Sequence, residues 1–177
     1  MVELNYLDDR TKVALGYWRY SGRFEAVSAD AAAGDPARSR GNDGLYALVE
    51  RRLIREGGDD RQGLAGWLRL GFADERLNAV GHYLGGGLSY TGPFRGRDDD
   101  QVGIAVGVAE LGAPFRLGSA LGGDPLDARE VIAEVTYRAP LNRWLTLQPD
   151  IQYVFNPGGR PALRDALVVG LRAEFAL

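Results

Sequence analysis

Few residues in this chain could carry out reactive chemistry. His82 is the single histidine and there is no cysteine. A thiol nucleophile, a disulfide framework, Cys-based metal sites and a His–His acid/base pair are thereby excluded. Gly87-Leu88-Ser89-Tyr90-Thr91-Gly92 has the wrong spacing for a nucleophile elbow and lacks the strand–turn–helix setting. Gly85-Gly86-Gly87 precedes no helix that could hold a phosphate, so it is expected to let a strand bend or to leave space beside Tyr83. Asp98-Asp99-Asp100 clusters carboxylates as a divalent-cation site would, and reads more simply as a solvated turn. With no Ser–His or paired-carboxylate constellation, the expectation is a protein that is not an enzyme and needs no cofactor. What remains is a set of polar and aromatic side chains at alternate positions: Glu50, Arg52, Trp67, Arg69, Tyr83, Glu134, Gln148, Asp150, Gln152 and Arg172. Such groups pair with one another, bond hydroxyls, or present a ring face.

The alternation defines the elements that must position them. Leu167, Val169, Leu171, Ala173 and Phe175 share one phase; Val168, Gly170, Arg172 and Glu174 share the other. The same period of two, which marks strands, runs through Thr11–Phe24, Gly44–Arg55, Gly63–Phe72, Ala79–Tyr90, Val102–Ala109, Arg129–Arg138 and Leu145–Phe155. About eight strands of roughly ten residues are expected. Val2–Tyr6 is a possible stub of one more, and Pro149 weakens regular pairing inside its segment. Turn chemistry separates the strands at Glu56–Gln62, Thr91–Gln101, Ala139–Arg143 and Asn156–Asp165. Two connections are longer, at residues 25–43 and 111–128. His82 falls in the apolar phase and is expected at an interface.

At 177 residues the chain fits one domain. Its 25 glycines favour turns and close backbone approach over long helices. A net charge of -3 and a pI near 5.2 argue against general nucleic-acid binding. No apolar run reaches the length of a spanning helix. Lys12 is the single lysine among many arginines.

Period two does not say which face is inside. A soluble sandwich or lipocalin-type barrel hides its apolar phase, whereas a membrane barrel turns it to lipid. The strands are long for soluble sheets. Charges of both signs sit in mid-strand, and aromatics (Trp18, Tyr20, Phe72, Tyr90, Tyr137, Trp144, Phe155) gather toward strand ends. These features favour the membrane barrel, with charges in a wet lumen and aromatics as girdles.

Several stretches, in order, resemble the bacterial carbohydrate-selective porin family. They are LGYWRYSGRF from Leu15, GLYALVERRLIR from Gly44, GLAGWLRLGF from Gly63, YLGGGLSYTGPFRGRDDDQVGIAV from Tyr83 and EVIAEVTYR from Glu130. The most specific are WLTLQPDIQYVFNPGG from Trp144 and RDALVVGLRAEF from Arg164. The resemblance implies an all-β antiparallel transmembrane barrel that passes sugars such as glucose by diffusion across a Gram-negative outer membrane. It implies small sugars, outer-membrane lipid and the barrel-assembly machinery as partners, with a homotrimer as a further possibility and no nucleic acid.

Family members have about sixteen strands and an export signal. This chain has about half that length, and MVELNYLDDR lacks a basic-then-apolar start. It reads as the C-terminal half of such a barrel, ending Glu174-Phe175-Ala176-Leu177. The alternative is a small outer-membrane anchor without sugar flux. With the C-terminus periplasmic, residues 25–43, 73–78, 111–128 and 156–165 are expected outside the cell. In the lumen phase, Trp67, Arg69 and Tyr83 are the expected sugar-contacting cluster. Glu50 and Arg52 are expected at a constriction. Glu134, Gln148, Asp150, Gln152 and Arg172 are expected as a polar wall with sugar contacts. For every one of these the plain alternative is charge pairing and lumen filling.

Overall fold

A computed structural model describes residues 1–27, 38–56 and 61–176. Nine strands form one antiparallel sheet in sequence order. They are β1 (Val2–Leu7), β2 (Thr11–Glu25), β3 (Arg38–Arg55), β4 (Gly63–Ala73), β5 (Val80–Thr91), β6 (Gln101–Leu111), β7 (Arg129–Asn142), β8 (Leu145–Phe155) and β9 (Ala166–Phe175). A helix, α1 (Ala113–Leu121), lies between β6 and β7.

Eight strands were expected and nine are present: Val2–Leu7 is a full strand, paired from Val2↔Tyr17 to Leu7↔Lys12. The sheet is open, since β1 and β9 are its two edges. The long connections are shorter than expected. Residues 38–43 already belong to β3, and α1 occupies half of 111–128. The expected turn at Ala139–Arg143 is mostly strand, because β7 runs to Asn142. The rest of the 25–43 connection, the Gly57–Asp60 part of the 56–62 turn and Leu177 lie outside the described residues.

Register carries the apolar phase across the whole sheet. Leu4 faces Leu15, Leu15 faces Ala47 and Ala47 faces Leu70. Leu70 faces Leu84, Leu84 faces Val108 and Val108 faces Val131. On the far side Ile151 faces Val135 and Val169. A one-residue slip anywhere would move a strand's apolar set to the other face, which pins the register.

Nothing among the described residues covers that apolar face. Val169 is 73% exposed, Leu15 53% and Ile104 52%. Among the described residues the buried apolar ones are Ala14, Leu111 and Ala139. A sandwich would hide one face against a second layer; the described residues form no such layer. In water each bared Leu or Val would forgo about 1.5–3 kcal/mol of burial, so the face requires a hydrocarbon surrounding.

Turns at the two ends differ in kind. At one end the connections after β1 and β7 are short and tied by side chains, while the one after β5 takes up residues 92–100. The Asp8 carboxylate accepts from the Arg10 and Thr11 amides at 2.8 and 2.6 Å. Asn142 Oδ1 accepts likewise from the Trp144 and Leu145 amides, both at 3.0 Å. These are Asx-type turns, in which a short acceptor replaces a backbone partner. At the other end the connections are tied to each other. Asn42 and Asn78 exchange amide bonds at 3.1 and 2.9 Å. The Gly112 amide donates to Ala79 O at 2.9 Å, and Arg160 meets Asp124 at 2.9 Å. Pro149 sits within β8, opposite Leu171. On the β7 side, however, the ladder skips from Thr136↔Asp150 to Ala139↔Leu147, as a residue without an N–H requires.

Candidate functional site

The polar phase faces away from the bared apolar surface. Its centre is thin, because Gly85 and Gly87 of β5 stand beside Ala105 and Gly107 of β6. Two aromatic rings lie down on this glycine floor. Trp67 crosses from β4 onto Gly87, where a Cβ would come within 2.7 Å of the indole Nε1. Tyr83 lies over Gly85 and reaches Gly107, where a Cβ would meet its hydroxyl at 3.1 Å. The rings flatten against the wall and border a hollow of ≈ 300 Å³.

The hollow also takes in Glu130, Ile132, Glu134 and Gln152. Gln152 Nε2 donates to Glu134 Oε2 at 2.9 Å, which holds that carboxylate in place. Glu130 accepts from the Gly158 amide at 2.5 Å and so fastens the β8–β9 connection above the hollow. Two carboxylates, one amide and two ring-bearing side chains thus converge on one concave surface. That set can bond vicinal hydroxyls while a ring face meets C–H groups.

A second hollow of ≈ 400 Å³ lies on the β1–β4 side, bordered by Glu3, Lys12, Tyr46 and Arg69. Here Tyr46 lies over Gly16 and donates to Glu3. Lys12 Nζ stands 3.9 Å from Glu50 Oε2.

The expected cluster of Trp67, Arg69 and Tyr83 is therefore divided. Trp67 and Tyr83 share the first hollow with Glu134 and Gln152; Arg69 borders the second. Glu50 is opposite Trp67 and pairs across strands with Lys12. Arg52 is opposite Ala65, next to the bulge before Ile54, and its amide donates to Arg10 O at 2.8 Å. The rest of the expected wall lies against neighbouring residues. Gln148 donates to Thr136 Oγ1 at 3.1 Å, Asp150 lies over Gly170, and Arg172 meets Glu174 at 3.0 Å.

Tyr46, Glu3, Lys12, Glu130 and Ile132 were not among the expected site residues. Tyr46 shares its phase with Glu50, and Glu130 shares its phase with Glu134, so period two pointed at both. Only the cross-strand register brings them to their hollows.

Asp98-Asp99-Asp100 does not behave as a solvated turn throughout. Asp100 is 2% exposed and accepts from Arg97 Nε at 2.7 Å and from the Tyr137 hydroxyl. Asp99 pairs with Arg61 at 3.3 Å. Among the described residues no group of acidic or histidine side chains is arranged to hold a metal ion. His82 is opposite Phe72 and packs edge-on against its ring, with Nδ1 3.5 Å from Glu75.

Comparison with known proteins agrees with the sheet architecture. The chain is 28% identical over 181 residues to Porin B of Pseudomonas aeruginosa, a match covering 90% of this chain and 40% of that protein. It resembles the high-pH structure of Pseudomonas putida OprB with a TM-score of 0.85 and 26% identity, over 98% of this chain and 46% of that one. The low-pH structure of the same protein shares the fold, with a TM-score of 0.56 at 22% identity over 93% and 46% of the two chains. The chain thus spans less than half the length of these relatives. The sheet corresponds to part of an outer-membrane barrel wall, with its apolar face toward lipid and its polar face toward the lumen. The family model for the carbohydrate-selective porins, the OprB family, matches residues 4–177, and the chain belongs to that family.

Proposed function

We propose that this chain forms about half the wall of a passive outer-membrane channel for neutral sugars such as glucose. The observation that carries the reading is the flat seating of Trp67 and Tyr83 beside the Glu134–Gln152 pair. A sugar moving past would lay its C–H face on a ring while its hydroxyls exchange bonds with the carboxylates and the amide. Such contacts are weak and exchange quickly, which suits facilitated diffusion. Small ions pass along the same wetted wall. The connections tied to each other, including Asn156–Asp165, lie on the extracellular side in this reading. Folding runs through the barrel-assembly machinery, and trimer formation through part of the apolar face is compatible with it. The alternative of a closed eight-stranded anchor without flux is disfavoured by nine strands with two free edges.

The test uses the polypeptide carrying this sequence, purified from outer membranes and placed in planar bilayers. Glucose should lower the ion current in a saturable way. Trp67→Ala with Tyr83→Ala should raise the half-blocking concentration about 3–10-fold, the value of a ring contact worth roughly 0.5–1.5 kcal/mol. Unchanged block in the double variant would remove the assignment of this hollow. No block in the unaltered protein would remove the sugar channel itself.

A further inference from the structure

A third concavity, larger than either lumen hollow, opens on the apolar face. Its volume is ≈ 560 Å³. Gly86, Val106, Ala133 and Tyr153 stand directly opposite one another across β5 to β8 and form one of its rows. Gly86 and Ala133 are the small members of that row, on either side of the half-exposed Val106, and Gly87, Ala105 and Glu134 also line the concavity. Ile104 and Val135, each more than half exposed, form part of the flank. All the residues of the apolar phase that border it have uncharged side chains.

The notch has a defined depth. Four residues along β7 from Ala133 is Arg129, and four along β6 from Val106 is Glu110. These two face each other across the ladder, with Arg129 Nε 3.8 Å from Glu110 Oε2, and His82 is opposite Glu110. This charged row is the upper rim of the apolar face. At about 3.4 Å per residue the notch lies about 14 Å from the rim along the strands. Barrel strands tilt by about 35–45°, so the depth below the rim is about 10–11 Å, and an apolar band about 25 Å tall places such a point near its middle.

From this we infer that the notch between Gly86 and Ala133 is the seat of one lipid acyl chain, whose head group lies at the His82–Glu110–Arg129 rim. The apolar face is continuous with the lipid surface, and the seat has no polar side chain to satisfy. It is recessed at its small residues, so a chain lying in it contacts the wall on more than one side and exchanges more slowly than one on the flat part of the face. Dispersion contacts are individually small and add up with the number of atoms touched. The site is separate from the lumen hollows, although Glu134 borders both it and the first of them.

The test is photolabelling in vesicles of phosphatidylethanolamine that carry a small fraction of the same lipid with a diazirine on the distal acyl chain. Adducts are then mapped by mass spectrometry. Labelling of Ile104, Val106 and Val135 should exceed that of Leu15 and Leu45 several-fold. Ala133→Leu, which fills the notch, should bring it down to their level while heat-dependent gel mobility still reports a folded barrel. Should that variant fail to fold, Gly86→Leu serves instead. A Cβ at Gly86 meets its nearest neighbours, Trp67 O and Leu68 Cδ1, at 3.4 and 3.5 Å, which is ordinary contact. Uniform labelling of the apolar face, or labelling unchanged by both fillings, would overturn the inference. So would efficient disulfide dimers from Val106→Cys, since a second copy would then cover the notch. This chain has no cysteine of its own to confuse that result.

Discussion

The indole of Trp67 lies across Gly87 of the neighbouring strand, in space that any Cβ would take: an alanine methyl there would stand 2.7 Å from Nε1. Tyr83 has the same relation to Gly107, with more room, at 3.1 Å from its hydroxyl. Each glycine therefore sets the attitude of a ring on another strand. Bare backbone lets the ring lie against the wall, and a methyl would lift it toward the lumen.

Gly107→Ala should therefore tilt Tyr83 away from the wall without removing it. A modest drop in single-channel conductance is expected, together with about a 2–5-fold weaker glucose block, an effect below 1 kcal/mol. Gly87→Ala should act more strongly, because its Cβ also comes within 2.7 Å of Ile104 O on β6. Gly86→Ala, on the lipid side, serves as the control and should leave block unchanged. Equal behaviour of Gly107→Ala and Gly86→Ala would show that ring attitude does not matter to passage.

Asp100 should hold the β5–β6 turn together. It is buried, and it accepts from both Arg97 and the Tyr137 hydroxyl. Asp100→Ala removes the acceptor from two donors, and a buried donor left unpaired costs about 1–3 kcal/mol. Arg97 is partly exposed and can regain water, so the loss should fall toward the lower end. The temperature at which the folded band disappears in gel-mobility assays should drop. Asp100→Asn, which keeps one acceptor oxygen, should drop it less.

Much of this architecture was legible from period two alone. The alternation along β9 and β6 gave element type, face and approximate length, because a strand with one face in hydrocarbon must repeat every second residue. What alternation does not encode is register. Arg69 and Trp67 share a phase and are two residues apart, yet they border different hollows, because Trp67 leans over Gly87 whereas Arg69 borders the side of Tyr46. The first strand alternates over only Val2 to Tyr6, which suggests a stub, and its pairing with Val13, Leu15 and Tyr17 makes it a full strand. The helix Ala113–Leu121 has its own sequence signal: Pro114 in the first turn, and Leu117 and Leu121 one turn apart. Asp100 looked like one carboxylate of three. Its burial depends on Tyr137, which is 37 residues away in sequence.

The connection at residues 74–79 should loosen in acid. Arg76 grips the Asp74 carboxylate with two guanidinium bonds at 3.0 and 2.7 Å and adds its own amide at 3.0 Å. The guanidinium bonds foremost, and then the amide, hold the Asp74 pKa below its ordinary value. A carboxylate depressed in the folded state stabilises the fold above the unfolded pKa of about 3.9, and loses that contribution as pH falls through the lower folded value. The Leu77 and Asn78 amides, both bonded to Asp74 O, should therefore exchange hydrogen at a constant protection from pH 7 to 5 and lose protection below about 4. Asp74→Asn should show weaker protection at pH 7 and no further loss in acid. The group is near the surface, so the effect is local and leaves the sheet intact.

Sidedness follows from the contrast between the two ends of the sheet. Every second connection, starting with the one after β2, belongs to the interlocked end. There Asn42 meets Asn78, Arg160 meets Asp124, and the Asp127 amide donates to Gly159 O at 2.7 Å. The opposite end carries short Asx-closed turns such as Asp8–Thr11 and Asn142–Leu145. Bacterial outer-membrane barrels keep short turns on the periplasmic side and longer loops outside. Cysteines placed singly at Arg160 and Arg143 should then separate in intact cells. A membrane-impermeant maleimide should label Arg160→Cys and spare Arg143→Cys until the outer membrane is permeabilised. Labelling in the reverse order would invert the barrel's orientation, and with it the leaflet in which the His82–Glu110–Arg129 rim meets lipid head groups.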